Sequence, residues 1–175
     1  MSRFLLAIVC TCSFAFLPIA TLAATPGEVE VGGILREAKL DPLSGKPRKL
    51  SDFRGKPLII NVWASWCGPC RAEMASLEAL SRVDRKQQFR VIGISTDDDV
   101  NAARKYLRAA GLTFENFIDH KLELENMLGA NTIPLTLLVD ARGKVLYKAR
   151  GSKDWMRGEW IGMIQMQFGI KLDRP

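Results

Sequence analysis

The chain has 175 residues, a formal net charge of +6, one histidine and four cysteines, with 47% apolar and 25% charged residues. This length and balance suit one domain with its own hydrophobic core and no need of disulfide staples. The basic residues, from Arg36 and Lys39 to Lys148 and Arg150, are scattered rather than gathered into an aromatic-interleaved stripe, which argues against nucleic acid as a partner and for a solvated basic face.

At the N-terminus, Arg3 precedes an apolar run from Phe4 to Ala20, and no further charge appears until Glu28. Small residues at Thr21 and Ala23 complete the pattern of a secretory signal over residues 1–23, cleaved after Ala23. The competing reading is an uncleaved membrane anchor over residues 4–24, since roughly 20 apolar residues suffice to cross a bilayer. Pro18 and the small-residue end favour cleavage, and either way the rest of the chain is exported. Cys10 and Cys12 lie inside the apolar run and are excluded from the fold. Residues 24–33 read as a flexible lead-in, and a single domain is expected over 34–175.

Two short strands around a turn at Ser44–Gly45 are expected first. "KPLIINVW" (56–63) is a continuous apolar run rich in β-branched residues, as in a strand buried on both faces. Apolar residues at Met74, Leu77, Leu80 and Val83 then recur at helical spacing. "FRVIGIST" (89–96) reads as a second buried strand, and residues 97–111 as a helix opened by Asp97, Asp98 and Asp99 and stopped by Gly111. A short helical stretch covers 122–128, a hairpin covers 135–150, and an amphipathic helix over 154–168 closes the chain. Strands alternating with helices imply an α/β fold with a mostly parallel sheet, to which the hairpin adds antiparallel strands.

Cys67 and Cys70 flank Gly68 and Pro69 in "WASWCGPCRAEM" (63–74), where the buried strand gives way to the helix. Three chemistries compete for the pair. Zinc needs four ligands, and the chain beyond residue 23 offers one histidine and no further cysteine. A staple closing so small a ring removes little unfolded-chain entropy. Redox exchange fits best: at a helix N-terminus, unpaired N–H groups and the helix dipole favour the thiolate that attacks a disulfide. Cys67 is then the nucleophile and Cys70, inside the first turn, the resolving thiol. Pro69 sits where its missing N–H has no consequence.

The pattern "LSDFRGKPLIINVWASWCGPCRAEMASL", "VIGIST", "TIPLTLLVDARGKVL" and "GSKDW" resembles the thioredoxin superfamily, and within it the exported TlpA/ResA/CcmG branch, over nearly the whole chain after residue 31. The resemblance implies a thioredoxin-like fold, a central mixed sheet flanked by helices, with an N-terminal β-hairpin extension. It implies a thiol–disulfide oxidoreductase with protein disulfides as substrates and no cofactor, since the cysteines carry the electrons. Cys67 and Cys70 match the redox-active disulfide. Pro134 matches the superfamily's cis-proline, where a loop proline before a strand is the plainer alternative. Glu73 matches an acidic residue of this branch, placed to tune a thiol or accept a proton; the plainer alternative is a solvated glutamate in the first turns of a helix. Where cytosolic thioredoxins carry a buried aspartate this chain has Asn61, which cannot titrate and shifts the weight onto Glu73. The Gly68–Pro69 dipeptide resembles that of reducing thioredoxins. A reductant in the oxidising periplasm needs a membrane partner to reduce it again, and the branch suggests c-type cytochrome maturation, with apocytochrome c as client. A copper-chaperone module and a thiol peroxidase are the rival functions. Trp66 reads as a site-surface aromatic and Trp63 as packing. His120 reads as a surface residue, Asp97 to Asp99 as helix caps, and Met156, Met163 and Met166 as residues of a core-facing helix rather than a metal face.

Overall fold

The computed structural model describes residues 27–172. The expected signal or anchor, its cleavage point after Ala23, and Cys10 and Cys12 lie outside the described residues. Among those described, no helix is long and apolar enough to cross a membrane.

The first hairpin pairs β1 (Lys39–Pro42) with β2 (Arg48–Lys49) across a turn in which Gly45 takes φ +89°. A short 3-10 turn, Leu50–Phe53, leads to β3 (Leu58–Trp63) and α1 (Gly68–Val83). Then come β4 (Arg90–Ser95), α2 (Val100–Ala109), β5 (Glu115–Ile118), α3 (Glu123–Leu128), β6 (Leu135–Val139), β7 (Val145–Arg150) and α4 (Gly158–Phe168). The seven strands form one sheet in the order β2-β1-β5-β4-β3-β6-β7. The β3–β4 and β4–β5 pairs are parallel; β1–β5, β3–β6 and β6–β7 are antiparallel. This is the expected thioredoxin-like fold with its mixed sheet and N-terminal hairpin.

Strand β3 is buried at every position, and its period of two decides which layer each residue serves. Leu58, Ile60 and Val62 join the core that includes Leu124, Met127 and Leu128 of α3. Ile59 faces the other layer with Leu77 and Leu80 of α1 and Ile164 of α4. Asn61 and Trp63 share that second face, so an amide and an indole are delivered beneath α1 near its N-terminal end. The β3–β6 register sets Thr136 opposite Asn61.

The sheet is not mostly parallel as expected: among the described residues β3–β4 and β4–β5 are its two parallel pairs, because the N-terminal hairpin enters antiparallel beside β5 as the C-terminal hairpin does beside β3. Three further expectations need correction. Strand β5 was not anticipated: its four residues include Asn116, a poor strand former. The position is held by tertiary contact, because Asn116 Oδ1 accepts the Trp63 indole N–H at 3.0 Å. Gly93 of β4 makes room for that pair, since a Cβ there would lie 2.8 Å from Trp63 Nε1. Second, the three aspartates do not all cap α2. Asp99 is the N-cap, accepting from Asn101 N at 2.8 Å, whereas Asp97 is buried and turned toward the strand ends. Third, the lead-in is docked from Glu28 onward. Val29 is buried and its N–H bonds Met127 O at 2.9 Å, while Gly32 and Gly33 bond Val145. A segment whose composition suggests flexibility is therefore part of the packed body.

Candidate active site

The two cysteines meet at the start of α1. Cys67 is the N-cap, in extended backbone, and its Sγ accepts the Cys70 N–H at 3.2 Å. Pro69 falls in the first turn. The pair forms a disulfide. Cys67 retains slight exposure while Cys70 has none. The sulfur that a client could reach is thus the one at the helix terminus, where N–H groups and dipole favour negative charge.

The turn before the N-cap is fixed by Asp97. Its carboxylate accepts Ser65 N at 2.9 Å, Ser65 Oγ at 2.6 Å and Ser95 Oγ at 2.6 Å. With Thr96 N bonded to Trp63 O and Cys67 N to Ala64 O, the segment 63–67 is held at both ends. Trp66, between these anchors, is 71% exposed and presents its indole to solvent beside Cys67. Trp63 is wholly buried and packs on Tyr106 of α2 at 5.4 Å, which carries the Arg71 guanidinium over its ring.

On the opposite side, the Ile133–Pro134 bond is cis, and Ile133 O lies 4.0 Å from Cys67 Sγ. Pro134 O accepts Gly151 N at 2.9 Å, tying this turn to the end of β7.

Glu73 lies one helical turn after Cys70, on the same face. It is completely buried, which excludes the solvated alternative. Trp155 Nε1 donates to its Oε1 at 2.7 Å, Thr136 Oγ1 to the same oxygen at 3.3 Å, and Asn61 Nδ2 to Oε2 at 3.1 Å. Asn61 Nδ2 also reaches Thr136 Oγ1 at 2.9 Å, and Asn61 Oδ1 is a buried acceptor that finds no donor among the described residues. Burial pushes the carboxyl up from 4.5 to about 7, against the hydrogen bonds from Trp155, Asn61 and Thr136, which favour its charged form. A carboxyl raised to near neutrality therefore belongs to the residue one helical turn after Cys70. It is a group suited to general acid–base work.

Three of these partners were not singled out for the site from sequence. Thr136 is reached through a strand register, and no local pattern distinguishes it from its neighbours. Asp97 sits in a run of three aspartates that all look like caps. Trp155 precedes α4 rather than belonging to it, and is anchored to α1 by Ser76, whose Oγ accepts Trp155 N at 3.1 Å. His120, by contrast, is an exposed residue in the turn after β5. Among the described residues no cluster of three or more His, Cys, Asp or Glu side chains is arranged to hold a metal.

A thioredoxin-like sheet with a Cys-x-x-Cys disulfide capping α1 defines a thiol–disulfide oxidoreductase. The family model described as AhpC/TSA matches residues 31–148, and the chain belongs to that family. It is 32% identical over 117 residues to the thiol-disulfide oxidoreductase ResA of Geobacillus thermodenitrificans, covering 67% of each chain. It is 35% identical over 134 residues to the thiol:disulfide interchange protein DsbE of Vibrio cholerae, covering 73% of this chain and 70% of the relative. The crystal structure of a Chlorobium tepidum protein assigned as DsbE superposes with a TM-score of 0.75 at 26% identity, covering 81% of this chain and 100% of that one.

Proposed function

We propose that the protein is exported and reduces disulfides in protein clients, with Cys67 as attacking thiol, Cys70 as resolving thiol and Glu73 as the proton acceptor. The observation that carries this reading is the asymmetry of the pair: one sulfur caps α1 beside Trp66 and Ile133 O, and the other is fully buried, one helical turn before the buried Glu73.

In the reduced protein the Cys67 thiolate attacks a client disulfide, forming a mixed disulfide and expelling one client thiolate. Cys70 then gives its proton to Glu73 and attacks Cys67 Sγ. The second client thiolate leaves, and two electrons have passed to the client. The protein ends in the disulfide form and needs an external dithiol to restore it. A membrane partner is the fitting donor if the N-terminal segment directs export or anchoring. Trp66, Gly68 and Pro69 shape the approach to Cys67, and Ile133 beside Pro134 offers backbone on which an extended client segment can pair. The resemblance of the sequence to the exported TlpA/ResA/CcmG branch suggests as client a Cys-x-x-Cys-His haem-attachment sequence, as in apocytochrome c.

The test combines trapping with a redox titration. Cys70→Ser should accumulate a mixed disulfide with an oxidised Cys-x-x-Cys-His peptide, and Cys67→Ser should not; equal trapping by both would overturn the assigned roles. A reductant's potential should lie nearer the roughly −270 mV of a reducing thioredoxin than the roughly −120 mV of a strong oxidant. A value at the oxidising end would reverse the proposed direction.

A further inference from the structure

We propose that Glu28, Lys148 and Arg150 are positioning residues for client binding, holding residues 128–134 so that the Ile133 carbonyl stays beside Cys67. The inference rests on the reading of Cys67 as the thiol that meets protein clients.

The span that carries Ile133 is tied at both ends to the end of β7. Arg150 Nη1 donates to Gly129 O at 2.8 Å and to Asn131 Oδ1 at 3.2 Å, and Gly151 N donates to Pro134 O at 2.9 Å. Thr132 and Ile133 lie between these ties. Lys148 Nζ donates to Leu128 O at 2.9 Å, so two cations meet the carbonyls at the C-terminal end of α3, where the helix dipole favours positive charge.

Two cations side by side, one of them nearly buried, require an anion. Glu28 supplies it: its carboxylate, 4% exposed, pairs with Lys148, 8% exposed, and with Arg150 Nη2 at 3.2 Å. The carboxylate occupies the space that a Cβ at residue 129 would need, and Gly129 has φ +77°. Glycine is thus required there twice over, by conformation and by the approach of Glu28. The bond from Val29 N to Met127 O and the burial of Val29 fix Glu28 in place. Without Glu28, Lys148 is left as a buried charge lacking its counter-ion. Both cations are then drawn toward water and away from the carbonyls they hold, and the 129–134 span loses its brace. A protein client that pairs with Ile133 backbone depends on that brace, whereas a small disulfide reaches Cys67 without it.

The experiment compares the reduced wild-type chain with Glu28→Gln and Arg150→Lys, using insulin as protein disulfide, glutathione disulfide as small probe and dithiothreitol, its uncatalysed rate subtracted, as the dithiol that returns each chain to its reduced form. Both variants should raise KM for insulin about tenfold, the scale of losing about one backbone hydrogen bond to the client. The insulin kcat and the rate with glutathione disulfide should stay within about twofold of wild type, the pattern of lost binding rather than lost chemistry. Arg150→Lys leaves the Glu28–Lys148 pair intact and carries the same readout if Glu28→Gln fails to fold. An unchanged KM for insulin, or an equal loss with both probes, overturns the inference while leaving the proposed function standing. A wild-type protein that reacts with glutathione disulfide but is inert toward both insulin and an oxidised Cys-x-x-Cys-His peptide overturns the client reading, and this inference with it.

Discussion

Helix α1 buries two glutamates, and the protein uses them in opposite ways. Glu73, near the cysteines, is met by an indole, an amide and a hydroxyl, all neutral donors. Glu78, further along, is pushed up by burial too, but Thr113 donates to it through N at 2.7 Å and Oγ1 at 2.6 Å, and Arg82 Nε at 2.8 Å adds a charge. The net result is a Glu78 carboxyl held below its ordinary value, against a Glu73 carboxyl raised to about 7. Burial alone therefore does not make a proton-exchanging group. What matters is whether the surroundings give the charged form enough in return. At Glu78 they do, and the residue ties α1 to the loop before β5; at Glu73 they do not quite, and the residue stays poised.

The comparison predicts stability–pH slopes of opposite sign. A carboxyl whose folded pKa is raised binds its proton more tightly in the native state, so its ionisation destabilises the fold as pH rises between 4.5 and about 7. Measured by chemical denaturation of the disulfide form, Glu73→Gln should therefore gain on wild type by roughly 3 kcal/mol across that window. A constant difference between the two proteins would show that Glu73 does not titrate there. Glu78→Gln should be destabilised by about 2 kcal/mol at pH 7, the scale of hydrogen bonds to a charged acceptor. Because the Glu78 pKa is depressed, that deficit should be present above pH 4.5 and shrink as pH falls through the folded value. A deficit that persists unchanged in acid would contradict the assignment. The smallest effect is expected from Trp155→Phe, which removes one donor from Glu73 Oε1. It should push the Glu73 pKa further up, by about one unit or roughly 1.4 kcal/mol. A carbon-13 NMR titration of the Glu73 carboxyl would report it as a shift to higher pH, and an unmoved titration would detach Trp155 from the proton path.

The positions of the reactive groups were legible in the sequence because they are local. A strand-to-helix junction, a Cys-x-x-Cys pair and a proline in the first turn are properties of neighbouring residues. Helical spacing also placed Glu73 one turn after Cys70. What that glutamate is could not be read locally, because its character depends on Thr136 across a strand register and on Trp155 from the far end of the chain. Asp97 and Asp99 look alike in sequence, yet one holds the turn before Cys67 and the other caps α2. Strand β5 escaped notice because Asn116 gains its place from Trp63 and not from strand propensity. The lead-in misled for the same reason: glycines and charges suggest a loose segment, and the cations that bury Glu28 lie more than a hundred residues away on β7. The sequence by itself determined the class of chemistry, since thiols and a helix terminus suffice for it. Only the tertiary structure decided which carboxyl is poised and which is pinned, because burial and the charge of its partners are set by residues distant along the chain.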